Sequence, residues 1–204
     1  MTAATAIHPP MPSDDWNAIR SWRKRVREEL IRRRTEIAPH TRRLMAEQAC
    51  ARLIQAIDFD SFEVLAFCWP IKGEFDVRSI AEGHAARGGK VALPVVVSPS
   101  APLEFWRWHS GMPMQTGVWN IPIPKTRHVL IPDAVIAPLV GFDASGYRLG
   151  YGGGYFDRTL AAASPRPHAI GLGYSNAELE TIYPQPHDIR MNVIVTEKEV
   201  FISK

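Results

Sequence analysis

Apolar residues at Trp16, Ile19, Trp22, Val26 and Leu30 recur at spacings of three and four, the mark of one helical face. The spacing predicts a helix over residues 16–34 with Trp16 and Trp22 on its packed side, and Ser13 or Asp14 offers a capping oxygen. Leu44, Ala49, Leu53 and Ile57 predict the inward face of a second helix over about residues 41–57, with Pro39 just ahead of it. The pattern then changes to short apolar runs. Residues 63–69 end at Pro70 and read as a buried strand, while residues 90–97 read as a strand that Pro94 places at an edge or a bulge. Between them Asp76 is placed to cap a helix that ends at Gly88 and Gly89. Residues 103–109, 134–140, 168–173, 192–196 and 199–202 complete the strands, with a further helix over 155–163. Strands alternating with helices predict an α/β fold with both sheet faces covered.

Composition narrows the classes. The 204 residues, 46% hydrophobic and 22% charged, suit one soluble globular domain. The expected division is a flexible N-terminal arm over residues 1–15 and one α/β domain over 16–204. No apolar run nears the roughly 20 residues that span a bilayer, and residues 1–15 lack the basic-then-apolar order of a signal peptide. A cytoplasmic protein is the expectation. Cys50 and Cys68 form no CxxC pair and have no histidine cluster nearby, which argues against a disulfide framework or a zinc site.

Net charge is a mild +3, but its distribution is uneven. Ten basic residues fall between Arg20 and Arg43, against the acidic Glu28, Glu29 and Glu36. Such a cluster suits a polyanion: nucleic acid, a nucleoside triphosphate or a polyglutamate tail. Arg23 and Arg27 lie one helical turn apart and can grip one anion together; they also read as solvated helix charges.

The strongest chemical signal is Gly-Phe-Asp-Ala-Ser-Gly-Tyr-Arg-Leu-Gly-Tyr-Gly-Gly-Gly-Tyr-Phe-Asp, residues 141–157, between a predicted strand and a predicted helix. Open α/β sheets bind ligands at such turns. Glycines let the main chain approach a ligand, and successive N–H groups at a helix start cradle phosphate oxygens. Arg148 adds charged donors, and Asp157 is placed to hold a magnesium ion that bridges phosphates. A ligand-free turn is the plain alternative. The spacing fits neither GxxxxGK[ST] nor the Rossmann fingerprint.

The string Arg-Leu-Gly-Tyr-Gly-Gly-Gly-Tyr-Phe-Asp, residues 148–157, resembles the signature of the 5-formyltetrahydrofolate cyclo-ligases, also called methenyltetrahydrofolate synthetases. The resemblance runs from about Trp22 to Glu197. It takes in the basic opening helix, Gly73-Glu74-Phe-Asp-Val77, Trp119-Asn-Ile-Pro122, and His187-Asp188 before Val193-Ile-Val-Thr-Glu197. It implies a three-layer domain of the NagB/RpiA/CoA-transferase-like kind, its mostly parallel or mixed central sheet flanked by helices, with a helical N-terminal arm. It also implies a ligase that uses ATP and Mg2+ to convert 5-formyltetrahydrofolate to 5,10-methenyltetrahydrofolate, ADP and phosphate.

Carried over residue by residue, the resemblance implies ATP contacts from Arg23, Arg27, Arg148, Gly150, Tyr151, Gly152, Gly153, Gly154, Tyr155 and Phe156. Glu74, Trp119 and Tyr155 are implied for the folate, and Asp157 and Asp188 for magnesium. No residue is assigned a catalytic proton transfer, and His187 is left out of the chemistry. The chain departs from the family pattern at Arg23, where Lys is common, at Gly153, where some members carry Lys, and at Asn192, where many carry Asp. The expected partners are a reduced folate and ATP, with no nucleic acid and no membrane, for a monomer. A kinase or ligase acting on another pterin or small carboxylate is a second reading. A nucleic-acid-binding protein using the basic helices and six tryptophans is a third, and the placement of Trp16 and Trp22 on a packed face counts against it.

Overall fold

The computed structural model describes residues 15–203, so most of the expected arm, with the candidate caps Ser13 and Asp14, lies outside the described residues. The first helix, α1 (Trp16–Glu36), is capped instead by Asp15, whose carboxylate accepts from Asn17 N–H at 2.9 Å. Its buried face carries Ile19, Trp22, Val26 and Leu30, and with them two arginines, Arg23 and Arg34. Trp16 corrects the expectation: this first-turn residue is 39% exposed, its ring edge-on to His187 and beneath the Arg23 guanidinium.

Helix α2 (Pro39–Ala56) starts on Pro39, which has no N–H to leave unsatisfied there. Ala49 and Leu53 are fully buried, but Leu44 is 44% exposed rather than inward. Five residues from Ala49, Leu44 lies roughly 140° round the helix and leaves the packed stripe. Helix α3 (Arg78–Ala86) follows strand β1 (Val64–Phe67); its N-cap is Val77 rather than the expected Asp76, which sits one residue earlier and accepts from Arg78 N–H at 3.0 Å.

Twelve more strands follow in chain order: β2 (Lys90–Val95), β3 (Glu104–Trp108), β4 (Met114–Thr116), β5 (Pro122–Pro124), β6 (Val129–Leu130), β7 (Ala134–Pro138), β8 (Gly141–Asp143), β9 (Arg148–Leu149), β10 (His168–Leu172), β11 (Glu178–Leu179), β12 (Val193–Val195) and β13 (Val200–Ile202). Helix α4 (Tyr155–Ala162) separates β9 from β10. The main sheet runs β13-β12-β10-β7-β1-β2-β3-β6. Its centre, from β12 to β2, is parallel, and the strands flanking it are antiparallel. β2 is therefore interior, not the edge that Pro94 suggested. Its pairing with β1 stops at Ala92, two residues short of Pro94, where the ladder has no need of the missing N–H on that side.

Strand residues alternate between the two faces. Leu65, Phe67, Ala134, Ile136 and Ile170 join Val26, Leu30, Leu53 and Ile80 in the larger core, so α1, α2 and α3 cover one face. Ala137, Ala169 and Ile194 join Leu160 of α4 on the other. The mixed sheet between two helical layers is the expected three-layer α/β architecture. The carboxyl ends of β1, β7 and β10 open on the same edge, the place where such sheets bind ligands.

Candidate active site

The glycine-rich segment is held before it reaches that edge. Asp143 Oδ1 accepts from Ser145 and Tyr147 N–H (3.0 and 3.2 Å), tightening the turn between β8 and β9, and Oδ2 accepts from Ile182 N–H at 3.1 Å. The chain leaves β9 at Leu149 and enters α4 at Tyr155, so Gly150–Gly154 spans the gap. Gly152 (φ 96°) and Gly154 (φ 64°) take the left-handed conformation that disfavours any side chain.

Three guanidinium groups crowd this span. Arg27 Nε donates to Gly150 O at 2.7 Å, and Arg158 Nη2 donates to Gly153 O at 2.8 Å with its guanidinium over the Tyr155 ring. Arg148 Nη2 donates to Asp157 Oδ2 at 2.9 Å. Nε of Arg148 and Nε of Arg158 are buried without a hydrogen-bond partner, and the Nη groups of Arg27 make no hydrogen bond among the described residues. Burial, then the nearby Arg23 charge, lowers the pKa of Arg27. Under-satisfied cations beside open backbone N–H groups make an anion site. Arg158, unassigned from sequence, stands beside Gly153, where some family members carry Lys.

Arg23 and Arg27, one turn apart as expected, are engaged differently within the fold. Arg23 lies on the apolar stripe and is buried: Nε donates to Ile182 O (2.9 Å), Nη2 to Tyr183 O (2.8 Å), and Nη1 and Nη2 to the two oxygens of Asp188 (3.2 and 2.6 Å). Asp188 also accepts from Gln185 N–H at 2.6 Å. Burial pushes its carboxyl upward, but Arg23 and the Gln185 N–H outweigh it and leave the pKa below the ordinary value. Asp157, in the first turn of α4, accepts from Ile189 N–H at 3.2 Å, which fixes it against the residue following Asp188. Asp157 is thus bonded to the backbone next to Asp188, and each carboxylate is already engaged by an arginine. Among the described residues no group of three or more His, Cys, Asp or Glu side chains could hold a metal. Magnesium commonly binds through one or two carboxylates plus phosphate oxygens, and these two carboxylates fit that donor set.

The loop after β1 builds the other end. Lys72 (φ 46°) and Gly73 (φ 79°) turn the chain so that Glu74 points inward. Glu74 Oε2 accepts from Ile71 N–H at 2.9 Å, and Oε1 accepts from the Tyr151 hydroxyl. Arg34, from the buried end of α1, donates to Lys72 O (3.0 Å), Leu139 O (3.1 Å) and the Tyr151 oxygen (2.6 Å). Burial raises the Glu74 pKa, with Tyr151, the Ile71 N–H, Arg34 and Lys72 opposing it. Tyr174, following β10, donates to Gly73 O at 2.7 Å, and burial pushes its pKa up to about 12. A small cavity below Glu74 is lined by Cys68, Phe75, Ile136, Pro138 and Leu172.

Trp119 sits between β4 and β5, 64% exposed and at φ 56°, with its ring edge-on to Tyr155 at 5.6 Å between centroids. A bulky residue held at positive φ with its ring in solvent is not core, and such outliers cluster at ligand clamps. The two expected pocket aromatics do meet. Phe156 lies under the Arg148 guanidinium. Asn192 Oδ1 accepts from Ala169 N–H at 2.8 Å, a contact that needs only an oxygen, so the change from Asp leaves it intact. Arg34, Lys72, Tyr174 and Arg158 escaped the sequence reading. For Arg34 the signal was present, since it continues the stripe Ile19–Val26–Leu30 by one more turn.

The sequence profile of the 5-formyltetrahydrofolate cyclo-ligase family matches residues 19–197. The chain is 30% identical over 176 residues to the 5-formyltetrahydrofolate cyclo-ligase of Escherichia coli strain K12, across 83% of this chain and 97% of that protein. Its fold is similar to the NMR structure of Aquifex aeolicus 5,10-methenyltetrahydrofolate synthetase, with a TM-score of 0.76, 28% identity, and coverage of 88% of this chain and 92% of that one. The 5,10-methenyltetrahydrofolate synthetase from Mycoplasma pneumoniae shares the fold at a TM-score of 0.71 and 20% identity, covering 86% of this chain and 99% of that one.

Proposed function

This chain belongs to the 5-formyltetrahydrofolate cyclo-ligase family, and we propose that it is an ATP- and magnesium-dependent enzyme that closes 5-formyltetrahydrofolate to 5,10-methenyltetrahydrofolate in the cytoplasm, as a monomer. The observation that carries this reading is one edge of the sheet with two chemically different ends. A glycine loop with under-satisfied guanidinium groups touches a buried carboxylate, Glu74, through its Tyr151 hydroxyl, and meets the exposed Trp119 ring through its Tyr155.

The γ-phosphoryl group of ATP passes to the formyl oxygen. N10 then attacks the formyl carbon, phosphate leaves with the C–O bonding pair, and N10 releases its proton. Little covalent work falls to the protein in such a transfer; it positions the reactants and stabilises charge. Arg27 and Arg158, with the N–H groups of Gly150–Gly154, hold phosphate oxygens. Arg148 places Asp157 at the head of α4. Asp157 and Asp188 would hold magnesium, which when bound offsets charge on the phosphates. Arg23 acts by orienting Asp188 rather than by direct phosphate contact. Glu74 accepts paired N–H bonds from the pterin, and Trp119 and Tyr155 lie against the folate rings.

The test is near-ultraviolet absorbance of purified protein with 5-formyltetrahydrofolate and MgATP. ATP-dependent growth of the methenyl chromophore is expected. A flat trace from folded protein that still binds ATP would refute this acceptor and favour another pterin or small carboxylate.

A further inference from the structure

Tyr151 belongs by sequence to the nucleotide loop, yet its hydroxyl is used at the opposite end of the site, on Glu74. It is held there by Arg34, which is engaged by three separate segments: the loop after β1 through Lys72 O, the exit of β7 through Leu139 O, and the glycine loop through Tyr151. The side chains of Arg34 and Glu74 are each only 6% exposed, 3.7 Å apart, and they meet through one hydroxyl. We propose that Arg34 is a positioning residue that, through the Tyr151 hydroxyl, locks the Glu74 carboxylate to the glycine-rich loop and so fixes the folate end of the site relative to the nucleotide end. This inference rests on the proposed cyclo-ligase reaction for its kinetic arm only.

The physical case is one of unmet alternatives. The planar guanidinium reaches three acceptors in different directions, which an ammonium group cannot do from one point. Glu74 keeps two lone-pair positions after accepting from Tyr151 and the Ile71 N–H, which leaves it able to receive a second pair of donors. Without the Tyr151 hydroxyl the carboxylate has one fixing bond and can swing, and among the described residues the glycine loop keeps only the exposed Lys72 amine over the Tyr151 ring as a side-chain tie to residues 71–74. The charged and titratable groups facing Glu74 are Arg34 from α1, Lys72 from its own loop, Tyr151 from the glycine loop, Tyr174 after β10 and Cys68 after β1. Of these only Arg34 and Lys72 are cations, and Lys72 is exposed with its amine over the Tyr151 ring.

The experiment compares wild type with Tyr151→Phe, Arg34→Lys and Arg34→Met by steady-state kinetics and by hydrogen exchange of the Ile71 amide and the Gly150–Gly154 segment. Tyr151→Phe is expected to stay folded and to raise KM for folate by about tenfold or more, the scale of losing a hydrogen bond to a charged group, with kcat changed less. Arg34→Lys keeps the charge and should hold the acid limb of kcat/KM for folate in place while raising KM. Arg34→Met removes the cation, so Glu74 protonates at higher pH and the acid limb moves up. Exchange at Ile71 and at Gly150–Gly154 should speed up together in each folded variant, and this reading needs no turnover. Wild-type inactivity would sink the proposed reaction without touching the exchange result. Should Tyr151→Phe leave both the folate KM and the exchange at the two segments unchanged, the positioning role is overturned, whatever the fate of the Arg34 variants.

Discussion

At the scale of single residues, two of the buried ion pairs, Arg23–Asp188 and Arg148–Asp157, separate folding from chemistry. Arg23–Asp188 is nearly sealed, with side-chain exposures of 5% and 10%. Asp188→Asn leaves a buried arginine charge uncompensated and is expected to cost about 3–5 kcal/mol of stability. The loss is read from denaturant unfolding. Its pH dependence is fixed in sign. The folded-state pKa of Asp188 lies below the ordinary 3.8, so the pair stabilises above that value and the contribution vanishes as pH falls through the folded pKa. The variant should therefore match wild type most closely in acid. Asp157 differs, because it is more open and its second oxygen accepts only a backbone N–H. Asp157→Asn is expected to impair magnesium-dependent turnover far more than folding, with the magnesium requirement shifted to higher concentration. Full activity would remove Asp157 from the proposed metal site. Trp119 supplies a third case: its exposed ring packs no core, so Trp119→Ala should leave the unfolding midpoint almost unchanged. KM for folate should rise about threefold to tenfold, the range of an aromatic contact, and KM for ATP should not.

At the scale of elements, the glycine loop depends on its conformation as much as on its charges. Gly154 is the left-handed N-cap of α4, and a Cβ there would lie 2.8 Å from Arg158 Nη1. Gly154→Ala is expected to lose about 1–2 kcal/mol from the left-handed strain. It should also displace Arg158, so that KM for ATP rises by more than the stability loss alone accounts for; an unchanged KM would free Arg158 from phosphate binding. The glycine loop, β7 before it and α4 after it were legible from sequence because each has a local cause, whereas β8 and β9, three and two residues long, lay inside the segment read as one loop. What was not legible is what long side chains do across the fold. Nothing near Arg23 or Arg34 in sequence announces Asp188 or Tyr151, respectively 165 and 117 residues away. Their positions on an apolar stripe did imply burial, and a buried arginine requires partners. Leu44 and Pro94 misled in opposite directions: one was given an inward place by its chemistry although its helical angle excludes it, the other an edge or bulge although only its strand's pairing with β1 had ended.

At the scale of the whole molecule, the site is assembled from α1, the loop after β1, the β8–β9 segment, α4 and the stretch before β12, so a ligand that bridges them should stabilise the fold as a unit. A ligand bound only to the native state adds RT ln(1 + [L]/Kd), about 2.7 kcal/mol at a hundredfold excess over Kd. For a chain of this size each kcal/mol raises the melting midpoint by roughly 2–4 °C. MgATP at that excess is therefore expected to raise it by about 5–11 °C, and ATP with a chelator by much less, since Asp157 and Asp188 repel phosphates unless a cation lies between. The basic surface of α1 makes the same comparison sensitive to salt, but in a different way. Ordinary screening weakens exposed charges such as Arg20 and Arg25, whereas the half-buried Arg27 is shielded from it. A midpoint shift that survives in moderate salt, and that Arg27→Met abolishes, would locate binding at the glycine loop. A shift that disappears with salt in wild type would mean that the exposed helix surface had been doing the binding, and would take the nucleotide out of the site proposed for it.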